Sequence, residues 1–394
     1  MAELSKEELQ QWLDDGDWED VKQKVTARRL VLLPALVDCH VHFRVPGAEQ
    51  KEDWVTGSEA AVFGGICAVI DMPNNTPAMV DAATYKQKKS LVHSQKKYGL
   101  HAFFNLGASG TVVPDNGIAD DVVGLKIYVG SSTGDLLVDS ENELRRIYEQ
   151  WDKVIVVHAE DDVMISENAE KLADYSGSDK HSRVRDRAVA VSAVKMVLEL
   201  VREFNKPTVI AHISTKEEVD LIREAKNDGL PVFAEVTPHH LFLNELHYEQ
   251  WGDYVKVNPP LRTAEDNEAL WAGLRDGTID VISTDHAPHL PAEKESGYET
   301  APAGIPEIDT VLSLMLNAVN EGKIGLDRLI DAMHTKPIAI FNLPSLGQCG
   351  TVVDMAKKQT VSKERLKTKC GWTPYEGMEL QGWPLFTIID NKAV

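Results

Sequence analysis

Eight short runs of Val, Ile, Leu and Ala recur along this chain, and segments of helical period separate most of them. The runs fall at 33–42, 67–72, 102–106, 122–128, 154–158, 208–212, 232–236 and 279–284. Helical patterns occupy 56–63, 82–97, 183–204, 216–228 and 264–275. A strand apolar on both faces is buried on both faces, and strands joined through helices run parallel. Eight such units over about 250 residues predict an α/β protein, a (β/α)8 TIM barrel. The open doubly wound sheet is the alternative, and no Gly-x-Gly-x-x-Gly follows the first run. With 394 residues, 43% of them hydrophobic, the chain is large enough to bury such a core.

The two ends differ from the middle. Residues 1–24 read as helix, with Ser5 and Glu8 placed for a capping box and Leu9, Trp12 and Leu13 forming a short stripe. Further helices are expected at 307–321 and 326–333. Beyond Pro344 the pattern turns strand-like at 351–354 and 384–390, which predicts a small β appendage formed mainly by the C-terminal tail. The expected division is an N-terminal helical extension (1–30), the barrel (31–344) and the appendage (345–394). The formal charge of −21 argues against nucleic acid or an anionic membrane as partner. Four cysteines without paired spacing suit a reducing cytoplasm rather than a disulfide framework. No apolar run has membrane-spanning length, and the N-terminus is not signal-like.

The chemistry gathers at the ends of the runs. The first closes on Asp38-Cys39-His40-Val41-His42. Residues i and i+2 of a strand share a face, so His40 and His42 project together and Val41 points away. Two imidazoles on one rigid strand make half of a metal site. Three other runs lead into His158-Ala-Glu160, His212-Ile-Ser214 and Asp285-His286-Ala-Pro-His289. A lone strand-end histidine is ordinarily a satisfied core residue. Four strands ending in metal- or proton-competent groups, all at the catalytic face of a barrel, weigh against that reading.

Lys126 is a fifth candidate. In 122–129, Leu125, Ile127 and Val129 share one face, and Lys126 shares the inward one with Gly124 and Tyr128. A buried, unpaired ammonium is costly. Lys126 is therefore expected to be ion-paired to a barrel carboxylate, neutral, or carboxylated by CO2 to an anion able to bridge two metals.

Together, Asp38-Cys-His-Val-His-Phe-Arg44, Asp71-Met-Pro-Asn74, Gly124-Leu-Lys126, Val157-His-Ala-Glu160, Ala211-His-Ile-Ser214 and Thr284-Asp-His-Ala-Pro-His289 form a motif set. It resembles the cyclic amidohydrolases, and among them the dihydroorotases of the longer class, which include a domain of the animal multifunctional pyrimidine-synthesis protein. The likeness runs from about Leu30 to the end and takes in 235–243, 304–306 and 372–377. It implies two Zn2+ per chain. His40, His42 and Asp285 would hold the more buried ion and His158 and His212 the other, with N6-carboxylated Lys126 bridging. It implies a hydroxide between the metals as nucleophile. Asp285 would move the proton to the leaving nitrogen and open dihydroorotate reversibly to carbamoyl aspartate, a step of pyrimidine (UMP) synthesis. Arg44, Asn74 and His289 would hold the substrate carboxylate, with Asn258 at the ring and Ala303 and Gly304 offering backbone groups. An Arg fork suits a carboxylate, and Arg44 lies two residues past His42.

The chain departs from these relatives at its start, where helix replaces the first strands of their small β domain. A third metal site near Glu235, present in some relatives, is not expected, because its cysteine would fall at Ala211. Two other functions compete: a different cyclic amidase, such as a hydantoinase or allantoinase, and a catalytically silent scaffold barrel. The expected partner is a small-molecule substrate, and the expected assembly a homo-oligomer such as a dimer.

Overall fold

The run read as one strand over 33–42 is two. Val31–Pro34 (β1) stops at a proline, which has no N–H to extend a ladder. Val37–Val41 (β2) begins after the crossing Ala35-Leu36. β1 pairs antiparallel with the C-terminal tail, whereas β2 opens an eight-stranded parallel sheet. The computed structural model describes residues 4–109, 113–130, 136–138, 140–177 and 179–394.

The parallel sheet continues in chain order through β3 (Ala68–Asp71), β4 (His101–Gly107), β5 (Val122–Val129), β6 (Val154–Ala159), β7 (Thr208–Ile210), β8 (Val232–Val236) and β9 (Val281–Ile282). Its two edges meet. The His42 N–H donates to the His286 carbonyl at 2.9 Å, and Asp38 accepts from the Thr284 N–H and hydroxyl at 3.0 and 2.6 Å. The result is the expected (β/α)8 barrel. β9 is shorter than the 279–284 read from sequence. On either side of it, backbone donors go to side chains instead of the ladder: Ala234 N–H to Asp280 and Thr284 N–H to Asp38.

Helices leave the C-terminal ends of the strands from capped N-termini. Asp53 accepts from the Val55 and Thr56 N–H groups, and Thr215 with Glu218 and Thr263 with Asp266 form reciprocal capping boxes. The helix read over 183–204 is two, Lys180–Val184 and Arg187–Phe204, because Asp186 caps the second at the Val189 N–H. Val311–Asn320 lies within the segment read as 307–321. The helix from Leu326 outlasts its expected end, continuing through a π turn at Asp331–Thr335 into Lys336–Ile340.

The N-terminal extension is a pair of helices, α1 (Lys6–Asp15) and α2 (Trp18–Ala27), broken at Gly16 and restarted by the Asp17 cap. Their apolar faces, Leu9, Leu13, Val21 and Val25, pack on Val352, Ile388 and Ala393 of the antiparallel sheet. That sheet orders β1 beside β10 (Gly350–Thr360), β11 (Glu379–Ile389) and β12 (Lys392–Ala393). Its long strands exceed the expected 351–354 and 384–390. Pro384 looks like a strand end but stands opposite Val353 at a register shift, where a missing donor is tolerated.

Candidate active site

Three of the six expected ligands are strand residues and three lie just past strand ends. His40 is in β2, Lys126 in β5 and His158 in β6, while His42, His212 and Asp285 follow β2, β7 and β9. All six are buried. His212 and Asp285 hold φ of +37° and +47°, and Arg44 holds +63°. Left-handed backbone costs a non-glycine residue energy that surrounding structure must offset, and it turns these side chains back over the barrel mouth.

Asp285 Oδ1 lies 2.9 Å from His42 Nε2 and 3.3 Å from His40 Nε2. Lys126 Nζ is 3.5 Å from the same His40 nitrogen. Across the barrel, His158 Nδ1 and His212 Nε2 are 3.0 Å apart. Donor atoms bound to one tetrahedral zinc sit roughly 3.3–3.5 Å from each other, so both groups are within a few tenths of an ångström of metal-binding geometry. His40, His42 and Asp285 together form a group competent to hold a metal.

The far nitrogens of three imidazoles are engaged. His40 Nδ1 meets Glu235 Oε1 at 2.8 Å, His42 Nδ1 meets Asn74 Oδ1 at 2.7 Å, and His158 Nε2 meets Glu160 Oε2 at 3.0 Å. An acceptor on one ring nitrogen places the proton there and leaves the other lone pair free for a metal. Glu160 is itself held by Arg185. Burial alone would raise Glu160, but the Arg185 guanidinium and the His158 bond outweigh it and bring its pKa to about 2.

Burial lowers His42 to about 4 and pushes His158 and His212 down as well, so all three stand as neutral imidazoles. Burial opposes ionisation of Asp285, yet the imidazoles around it, His40 first and then His42 and His212, hold it well below the usual carboxylate range. Burial lowers Lys126 to about 8. Among the described residues Lys126 forms no ion pair, and the carboxylates of Glu235 and Asp285 act on it only at longer range.

A cavity of about 460 Å3 opens over these groups, a size that accommodates a small cyclic substrate. Its outer wall includes Arg44, Asn74, Asn258, His289, Ala303 and Gly304, so the structure brings every expected substrate contact to one cavity. Their hydrogen bonds are partly committed. Asn74 Oδ1 serves His42, and Asn258 Oδ1 accepts from His181 Nε2 at 2.9 Å. Gly304 gives its N–H to the Lys256 carbonyl, and its own carbonyl accepts from Lys294. A Cβ at Gly304 would meet the Ala287 carbonyl at 2.6 Å, and its φ is +146°, so this close approach requires glycine.

His289 carries a feature not read from the sequence. Lys51 Nζ is 3.0 Å from His289 Nδ1 and 2.9 Å from Glu293 Oε1. An ammonium only donates, so Nδ1 accepts and Nε2 bears the proton. Nε2 then donates to the Ala303 carbonyl at 3.1 Å, with Arg44 Nη2 also 3.1 Å away. The Arg44 guanidinium thus stands beside an imidazole N–H, and an entering anion would compete with the Ala303 carbonyl for that second donor. Lys51 lies in the loop after β2 among charged neighbours, where nothing in the sequence separates it from a surface lysine. His181, which lies outside every motif, is buried and braces Asn258.

A barrel with four histidines, a lysine and an aspartate at its C-terminal face has the architecture of a metal-assisted hydrolase. Residues 31–349 match the amidohydrolase family, and the chain belongs to it. Dihydroorotase from Methanosarcina acetivorans is 37% identical over 389 residues, which cover 94% of this chain and 83% of that protein. The multifunctional protein CAD of Squalus acanthias is 35% identical over 93% of this chain and 15% of its own length. Among solved structures, L-hydantoinase (dihydropyrimidinase) from Arthrobacter aurescens superposes with a TM-score of 0.85 at 26% identity, over 93% of this chain and 86% of that one. No helix among the described residues is long and apolar enough to cross a membrane.

Proposed function

We propose that this chain is a zinc-dependent dihydroorotase, a hydrolase that reversibly opens the cyclic amide of dihydroorotate to carbamoyl aspartate in pyrimidine synthesis. The observation that carries the reading is the pairing, in one cavity, of a metal-competent cluster with a wall where the Arg44 guanidinium stands beside the neutral His289 imidazole. Dihydroorotate presents both an amide to hydrolyse and a carboxylate to anchor. The identity to dihydroorotases over most of their length supports the same conclusion.

In this proposal His40, His42 and Asp285 would hold one zinc and His158 and His212 a second, with Lys126 supplying a further anionic ligand as its carbamate. The depressed Lys126 favours that modification, because a neutral amine attacks CO2, loses a proton and leaves an anionic carbamate. When bound, the metal pair supplies Lewis acidity that polarises the ring carbonyl and lowers the pKa of water. The chain's own residues do the rest. Arg44 and His289 Nε2 fix the carboxylate, and Asn74 and Asn258 border the ring. Asp285, held ionised, takes the proton released as water adds to the ring carbonyl carbon. It passes that proton to the ring nitrogen as the C–N bond breaks, leaving a ureido NH2 and a new carboxyl group that ionises by releasing the second water proton to solvent. The reverse sequence closes the ring.

The structural likeness to a hydantoinase keeps one rival in view. Turnover of dihydroorotate, hydantoin and allantoin by the purified, metal-loaded chain separates them. Dihydroorotate is expected to be the preferred substrate by a wide margin, and preference for either neutral ring would overturn the assignment.

A further inference from the structure

Away from the catalytic face, at the N-terminal end of β4, three side chains from distant segments converge. His101 opens β4, Cys349 immediately precedes β10, and Asp390 stands between β11 and β12. His101 Nε2 is 3.6 Å from Cys349 Sγ and 3.4 Å from Asp390 Oδ1, and Sγ and Oδ1 are 4.0 Å apart.

Both contacts fall on the same imidazole nitrogen. A nucleophile, base and orienting carboxylate acting in series would need both ring nitrogens, one for each neighbour. A single proton on Nε2 also cannot serve sulfur and carboxylate at once. A cation at the centre satisfies all three. Zinc bonds of about 2.3 Å to sulfur and 2.0–2.2 Å to nitrogen and oxygen, at tetrahedral angles, put N and S about 3.6 Å apart and N and O about 3.4 Å apart. The sulfur–oxygen distance is the long one, and the Asp390 side chain, 62% exposed, is free to close it.

The surroundings fit the same reading. Cys349 is buried, and its sulfur accepts the Asp390 N–H at 3.3 Å, a bond that favours a thiolate. Burial keeps the free thiol above its ordinary range and His101 below its own, so the imidazole offers its lone pair and metal uptake releases the thiol proton. Lys96, whose ammonium is held on the Leu100 carbonyl, opposes a cation here. A thiolate and a carboxylate together outweigh that single charge.

We propose that His101, Cys349 and Asp390 form a second metal site, for a thiophilic divalent cation of the zinc class, with water as the remaining ligand. It ties the start of a barrel strand to the antiparallel sheet. The proposal does not depend on the substrate or metals of the catalytic face.

Cobalt distinguishes this site from the catalytic one, because a thiolate ligand gives cobalt(II) a sulfur-to-metal charge-transfer band that nitrogen and oxygen donors do not. The reduced full-length chain, stripped of metal, is titrated with Co2+. The band should saturate at the amplitude of one thiolate-bound Co2+ per chain once the catalytic face has taken its share, vanish in Cys349→Ser, and require about tenfold or more Co2+ in Asp390→Ala, an exposed position whose loss spares the core. Turnover of the metal-loaded enzyme should stay at the wild-type level in both variants. Absence of the band from the wild-type chain at excess Co2+, its persistence in Cys349→Ser, or unchanged affinity in Asp390→Ala would each overturn the proposal.

Discussion

The proposed mechanism asks two things of Asp285 that no neutral side chain meets together, a metal contact and a proton held in transit. The amide in Asp285→Asn keeps the shape but cannot take that proton at neutral pH. This variant should fold, retain part of its metal, and lose most of kcat in both directions, as steady-state kinetics would register. Near-normal turnover would move the proton shuttle elsewhere. Arg44→Lys should weaken dihydroorotate binding by about 1–3 kcal/mol with zinc content unchanged, because one ammonium cannot reproduce a guanidinium fork. Lys51→Met tests the His289 tautomer. Without the ammonium, Nδ1 is free to take the proton and Nε2 loses its donor role. KM for dihydroorotate should rise several-fold with kcat largely kept, and Lys51→Arg should restore it. A wild-type KM in Lys51→Met would remove the lysine from the site. Five candidate ligands were legible because each sits at or just past a strand end, and Lys126 because strand alternation puts it on the inward face of β5. Lys51 and His181 were not, because their partners, His289 and Asn258, lie far along the chain and meet them only through loop folding.

At the scale of elements, strands carry candidate ligands and other strands hold them. Glu235 on β8 accepts both from His40 Nδ1 on β2 and, at 3.0 Å, from the His212 N–H beyond β7, so one carboxylate orients both halves of the cluster. Glu235→Gln should keep the barrel, as circular dichroism would report, while lowering metal affinity about 10–100-fold in a competition titration. Unchanged affinity would reduce Glu235 to a packing role. The barrel strands were legible from their continuous apolar runs, since burial on both faces leaves little else in the sequence. Boundaries set by tertiary bonds were not. Pro34 marks a change of sheet, Asp38 and Asp280 take donors that would have lengthened β9, and Pro384 lies inside a strand because a register shift spares its missing N–H.

For the whole molecule, pH and metal are the informative variables. Glu160 is buried, paired with Arg185 and His158, and lowered from 4.5 to about 2. A depressed carboxylate contributes stability that is fully present above its unfolded value and fades as pH falls toward the folded one. The metal-free chain should therefore lose stability between roughly pH 4.5 and 2, and Glu160→Gln should be less stable at neutral pH but flatter across that acid window. Parallel denaturation curves for the two proteins would contradict this. The most direct test of the account follows dihydroorotate turnover while zinc is removed and returned. The chelated wild-type chain should be silent and regain activity with zinc, whereas His158→Ala should bind less zinc and stay nearly inactive. Full turnover by the chelated chain, or by a metal-loaded His158→Ala variant, would contradict the account.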